Sequence, residues 1–259
     1  MPGRFYLTAT DRLHAEKNFH NRQALGRATT LARRPQELRF TDDAYLDHET
    51  WIRPAFDRLG NLEGLRVLDF GCGHGMAAVV LARRGAQVTA FDLSHGYLDE
   101  ARNRAQANRV AIEFVQADGK RLPFADNAFD RIWGNAVLHH LDLSIAAREL
   151  FRVLRPGGLA VFCEPWGENP LLGWVRNRLH YPGKERTPDE QPLRRRHIGL
   201  LRNVFPSVEL RGFQFLSMAR RVLRRGRLVA GLDWCDAMLL ARVPGLQIYC
   251  RYVVLTLKR

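Results

Sequence analysis

Residues 66–75 read R-V-L-D-F-G-C-G-H-G, and this stretch decides the fold. Val67, Leu68 and Phe70 form a short apolar run of the kind a strand buried on both faces shows. The run breaks into glycines at alternate positions, Gly71, Gly73 and Gly75, and helix-forming sequence follows from Met76 to Arg84. The expectation is a strand, a tight glycine turn and a helix N-terminus. Glycine serves where backbone turns with positive φ or a ligand comes close. The first turn of a helix offers unpaired N–H groups and partial positive charge.

Two phosphate-binding readings fail on spacing. A dinucleotide fingerprint needs G-x-G-x-x-G, and Met76 stands where its third glycine would be. A phosphate loop needs G-K-[ST], and no lysine follows these glycines. Asp69, two residues before the first glycine, repels a pyrophosphate and suits a cation.

Outward from this stretch the chain alternates strand and helix patterns, as a doubly wound sheet requires. Strands are expected at Arg66–Phe70, Ala86–Phe91, Ile112–Gln116, around Phe129–Trp133, and at Leu159–Cys163 after a Pro156-Gly157-Gly158 turn. Helices are expected at about Ser94–Asn108, with Ser94 as N-cap, and at Leu143–Leu154. Strand two ends in Asp92, 21 residues after Gly71, where a carboxylate can accept from both ribose hydroxyls. Strand three ends in Ala117-Asp118-Gly119, where a carboxylate can accept from an adenine amine and Gly119 leaves room for the ring.

S-adenosylmethionine (SAM) has no phosphate and carries a sulfonium and an amino group. D-x-G-x-G-x-G at Asp69–Gly75 resembles motif I of the class I SAM-dependent methyltransferases. Three further blocks, L-P-F-A-D-N-A-F-D-R-I-W (122–133), N-A-V-L-H-H-L (135–141) and E-L-F-R-V-L-R-P-G-G (149–158), resemble successive blocks of the same superfamily. They match the branch of ubiquinone/menaquinone-type and natural-product small-molecule enzymes. The resemblance covers about residues 65–165, and F-H-N-R at Phe19–Arg22 is similar to the N-terminal lead of many members.

It implies an α/β, Rossmann-like doubly wound sheet of seven strands whose last two form an antiparallel hairpin, expected at residues 207–217 and 247–257. It implies a SAM site made by Asp69, Gly71, Cys72, Gly73, Gly75, Asp92, Leu93, Asp118, Gly119 and Asn135, with Asn135 beside the methionine moiety. No metal is implied. Methyl transfer needs a nucleophile held about 3 Å from the methyl, in line with the C–S bond. A base is needed only where the nucleophile arrives protonated. His140, His139 and Glu164 are the catalytic candidates, His140 first; the alternative for either histidine is packing beneath the cofactor. His20, His180 and His197 lie in covering segments from which a side chain can reach substrate.

The expected organisation is an N-terminal helical cap over 1–61 and a SAM-binding domain over 62–259. A lid insertion at 165–206 and a basic, apolar insertion at 216–246 interrupt the latter. With 259 residues the chain can bury a sizeable core. Cys72, Cys163, Cys235 and Cys250 are far apart and suggest no zinc, and a reduced, cytoplasmic compartment is the simplest reading. Residues 1–12 lack a signal peptide's apolar segment, and no run of 18 apolar residues exists to span a membrane.

The net charge of +13 is uneven: Arg176 to Arg227 holds 14 Lys/Arg against 4 Asp/Glu. The leading reading is a methyltransferase acting on a small organic acceptor, a secondary metabolite or lipid-like molecule, with peripheral contact to an anionic membrane possible through the arginine-rich apolar segments. The alternatives are an RNA methyltransferase and a non-catalytic SAM-binding regulator. RNA is disfavoured because no RNA-binding module or aromatic/basic alternation is present. Oligomeric state is not legible.

Overall fold

A computed structural model describes residues 9–178, 191–221 and 227–259. Seven strands form one sheet in the order β3-β2-β1-β4-β5-β7-β6. They are β1 (Arg66–Phe70), β2 (Gln87–Asp92), β3 (Glu113–Gln116), β4 (Phe129–Asn135), β5 (Leu154–Pro165), β6 (Ser207–Phe213) and β7 (Tyr252–Lys258). The first five pair in parallel; β7 runs antiparallel to both β5 and β6. The helices are α1 (Ala9–Arg33), α2 (Asp42–Leu46), α3 (Ile52–Asp57), α4 (Met76–Arg83), α5 (His95–Ala107), α6 (Leu143–Val153), α7 (Pro170–Arg178), α8 (Arg195–Arg202) and α9 (Arg227–Arg242).

Side-chain alternation along each strand divides the core into two layers. Leu68, Phe70, Ile132, Phe162 and Leu255 face α6 and α8. Val67, Ala90, Trp133, Val161 and Val254 face α2 to α5. Both faces are covered, which is why the strands read as unbroken apolar runs. Ser94 caps α5, accepting from the Tyr97 N–H at 3.2 Å.

Three expectations shift. The Pro156-Gly157-Gly158 turn lies within the range of β5 as an irregularity, where pairing jumps from Phe129–Leu154 to Arg131–Leu159. The hairpin strands are shorter than expected, because Gln214 turns to φ +57° after β6 and Pro244–Tyr249 forms a 3-10 turn in place of the start of β7. In 216–246, α9 buries Asp236 and exposes Trp234. The Asp236 carboxylate accepts from the N–H groups of Phe215, Leu216 and Ser217 at 3.0, 2.7 and 3.1 Å, so a charged group anchors this helix. His180 and the stretch 179–190 of the expected lid lie outside the described residues.

Candidate functional site

The strand order reverses at β1, whose neighbours are β2 and β4, and ligands of open α/β sheets bind at the carboxyl edge of such a point. A cavity of about 270 Å³ opens there. Its wall takes in Gly71 and Gly73 of the glycine turn, Asp92 and Leu93 after β2, Asp118 and Gly119 after β3, and Asn135, Val137 and His140 after β4. A larger cavity of about 570 Å³, between α9 and the β6–β7 hairpin, shares no lining residue with it and contains none of the expected site residues.

At Gly71 the turn leaves no space for a side chain. Gly71 sits at φ +68°, and a Cβ there would stand 2.5 Å from Val137 Cγ2. Gly73, at φ +51°, has open space beside it and donates its N–H to Asp92 Oδ2 at 2.9 Å. The other Asp92 oxygen accepts from the Ser94 N–H at 2.8 Å. One carboxylate thereby ties the glycine turn to the start of α5. Burial raises the Asp92 pKa, opposed by those backbone bonds. Asp118 closes its own turn, accepting from the Lys120 N–H at 2.9 Å, with Lys120 Nζ 3.6 Å from its carboxylate.

Five predicted site residues are not brought to the cavity wall. Asp69 is buried beneath the turn, and burial pushes its carboxyl up to about 8. Cys72 is buried in the core layer under α4. Gly75 is held glycine by packing, since a Cβ there would lie 2.7 Å from Ala101 Cβ in α5. His139 and Glu164 form a buried pair, Nδ1 to Oε2 2.7 Å. Glu164 Oε1 also accepts the N–H groups of Val137 and Leu138 at 2.9 and 2.8 Å. That carboxylate fixes the 3-10 turn Leu138–His140, on which the His140 ring lies 4.1 Å from that of His139. Gly119 does line the cavity, but the space a Cβ would need is filled by Phe70 Cζ at 2.8 Å and Leu141 Cδ1 at 3.1 Å.

The sequence reading missed Glu16, and raised His20 only as a residue within reach of substrate. Both line the cavity from α1. This helix docks on α5 through a close approach at Gly96, where a Cβ would stand 2.8 Å from Ala24 Cβ. The Ser94 hydroxyl bonds Asn21 Oδ1 at 2.7 Å, and Arg27 grips Glu100 at 2.7 and 2.9 Å. Burial raises Glu16 to about 7. His74, also in the wall, falls to about 4, from burial first and then from Arg27 and Arg104, so it is neutral at pH 7. Ala136 holds the left-handed φ of +57° at the end of β4, donating its N–H to Cys163 O at 2.7 Å. Strained backbone of this kind collects at functional sites.

Comparison with known proteins gives the same frame. Residues 68–162 match the family described as a methyltransferase domain. Methyltransferase GfsG of Streptomyces halstedii is 42% identical over 114 residues, covering 42% of this chain and 41% of that protein. A demethylmenaquinone methyltransferase of Beutenbergia cavernae is 38% identical over 121 residues, covering 45% of this chain and 49% of the relative. The matched stretch thus spans less than half the length of either relative. A solved S-adenosylmethionine dependent methyltransferase from Mesorhizobium loti superposes with a TM-score of 0.55 at 23% identity, covering 83% of this chain and all of that one, which speaks for the fold.

Proposed function

From the premise that residues 68–162 are a methyltransferase domain of the class I, SAM-dependent superfamily, we propose that this protein moves a methyl group from SAM to a small organic acceptor. The observation that carries the reading is the charge of the cavity. In a chain of net charge +13, its wall holds three carboxyl groups, Glu16, Asp92 and Asp118, and one lysine, Lys120. An acidic recess in a basic protein takes a cationic ligand. SAM is cationic, whereas a dinucleotide's pyrophosphate is repelled there.

Residue by residue, Gly71 and Gly73 let the cofactor approach the backbone. Asp92 keeps lone pairs for the ribose hydroxyls beyond those it gives to Gly73 and Ser94. Asp118 accepts from the adenine amine, Leu93 packs beside the adenosine, and Asn135 meets the methionine moiety. Glu164 and His139 act at one remove, by holding the turn that carries His140. Where the acceptor is a hydroxyl its proton must leave, and Glu16, His20 and His140 gather in the part of the wall where that hydroxyl would be activated. A small or lipid-like acceptor is favoured by the relative named for demethylmenaquinone.

Calorimetry tests the assignment. Asp92→Ala removes a charged acceptor whose hydrogen bonds contribute about 1.5–3 kcal/mol each, so SAM should bind at least about tenfold more weakly. Unchanged affinity in the variant, or tighter binding of NAD than of SAM by the natural protein, overturns the reading.

A further inference from the structure

Glu16, His20 and His140 converge in the cavity wall, with one ligand-type atom from each within 4.8 Å of the others. Glu16 and His20 stand four residues apart on α1 and so share a helix face. His140 arrives from the turn after β4. Glu16 Oε1 lies 3.4 Å from His140 Nδ1, and the His20 and His140 rings are 5.7 Å apart. His20 Nδ1 is buried without a hydrogen-bond partner among the described residues. Donor atoms sharing one first-row cation at about 2.1 Å lie roughly 3–4 Å from each other, so small rotamer changes close this set.

The geometry points to a divalent cation site made by Glu16, His20 and His140, whose open coordination positions take a hydroxyl oxygen of the methyl acceptor. Two imidazoles and one carboxylate suit a first-row transition metal or zinc and leave further positions free. The charge balance agrees. Three cavity carboxylates exceed Lys120, whose ammonium is engaged by Asp118, and bound SAM contributes one net positive charge. A dication together with an acceptor oxyanion brings the sum to neutrality.

This inference rests on the methyl-transfer reading for its purpose. A hydroxyl on the cation gives its proton to solvent at lower pH than a free one. The oxyanion then forms the O–CH3 bond as the S–CH3 bond breaks. The bonding pair stays on sulfur, and S-adenosylhomocysteine leaves as a neutral thioether.

The test is titration of the chelator-stripped full chain with Co2+, read by visible absorption, with SAM affinity measured separately. One saturable equivalent is expected. His20→Ala and Glu16→Gln should each weaken it about tenfold or more, while His95→Ala, at an exposed histidine, leaves it unchanged. No saturable Co2+ binding, equal loss in His95→Ala, or full methyl transfer by the stripped protein overturns the site. Failure to bind SAM, by contrast, strikes the methyl-transfer reading while the Co2+ titration still reports on the metal.

Discussion

Asp69 and Asp92 lie on neighbouring parallel strands and use their carboxyls in opposite ways. Asp92 gives both oxygens to backbone N–H groups at the mouth of the cavity. Asp69 lies under the glycine turn with Oδ2 buried and without a hydrogen-bond partner among the described residues, and burial pushes its carboxyl to about 8. An unfolded aspartate titrates near 3.9. Between those values the unfolded chain has lost the proton that the folded chain keeps, so this group's contribution to stability falls as pH rises from about 4 to 8. Asp69→Asn keeps an acceptor in place and removes the titration. It should raise the melting temperature of the ligand-free protein at pH 8 and change it less at pH 5, by roughly 2–4 °C for each kcal/mol relieved. Thermal scans at the two pH values decide it, and a lower melting temperature for the variant at pH 8 refutes the assignment.

The turn after β4 is the element on which the site depends. Glu164, from β5, satisfies two backbone N–H groups and the His139 ring there. Glu164→Ala strips an acceptor from buried donors at about 1–3 kcal/mol each, so melting should fall by several degrees, with Glu164→Gln retaining more because an amide oxygen still accepts. Equal melting of all three proteins contradicts this role. The sheet was legible in the sequence because strands covered on both faces leave apolar runs and their ends leave Gly and Asp. The glycine turn, Asp92 and Asp118 could be placed at the cavity wall for the same local reason, and His140 by the resemblance of its 135–141 block. The roles of Asp69, Gly75 and Glu164 could not, since burial beneath a turn, a close approach to Ala101 and bonds to Val137 and Leu138 are long-range facts. Glu16 enters the site through the docking of α1 on α5 at Gly96, a contact between segments about 70 residues apart that local pattern does not show, whereas His20 could be raised from its place in a covering segment. The left-handed Ala136 has no signature at all.

At the scale of the molecule, three carboxyl groups line the cavity while arginines stand on the described surface of α8. Arg194, Arg195 and Arg196 stand exposed at the start of α8, while Leu171 and Trp174 on α7 and Trp234 on α9 are exposed apolar groups. No described helix is long and apolar enough to cross a membrane. Arginines mixed with exposed aromatic and aliphatic side chains suit the interface of an anionic bilayer better than a nucleic acid, which calls for stacking platforms along a basic groove. The basic exterior would then hold the protein at a membrane surface that carries the acceptor. Both kinds of binding weaken with salt, RNA by roughly one power of salt concentration per phosphate contact, so salt alone does not separate them. Offering the protein anionic vesicles and bulk tRNA separately at near-physiological salt does. Vesicle binding that disappears when Arg194, Arg195 and Arg196 are reversed to glutamate is the expected result, with weak and unsaturable tRNA binding. Saturable tRNA binding that the reversal abolishes, together with methyl transfer to that tRNA, would replace the small-molecule acceptor with RNA. Binding to neither would reduce the arginine-rich face to a solvated surface and remove its part in substrate capture.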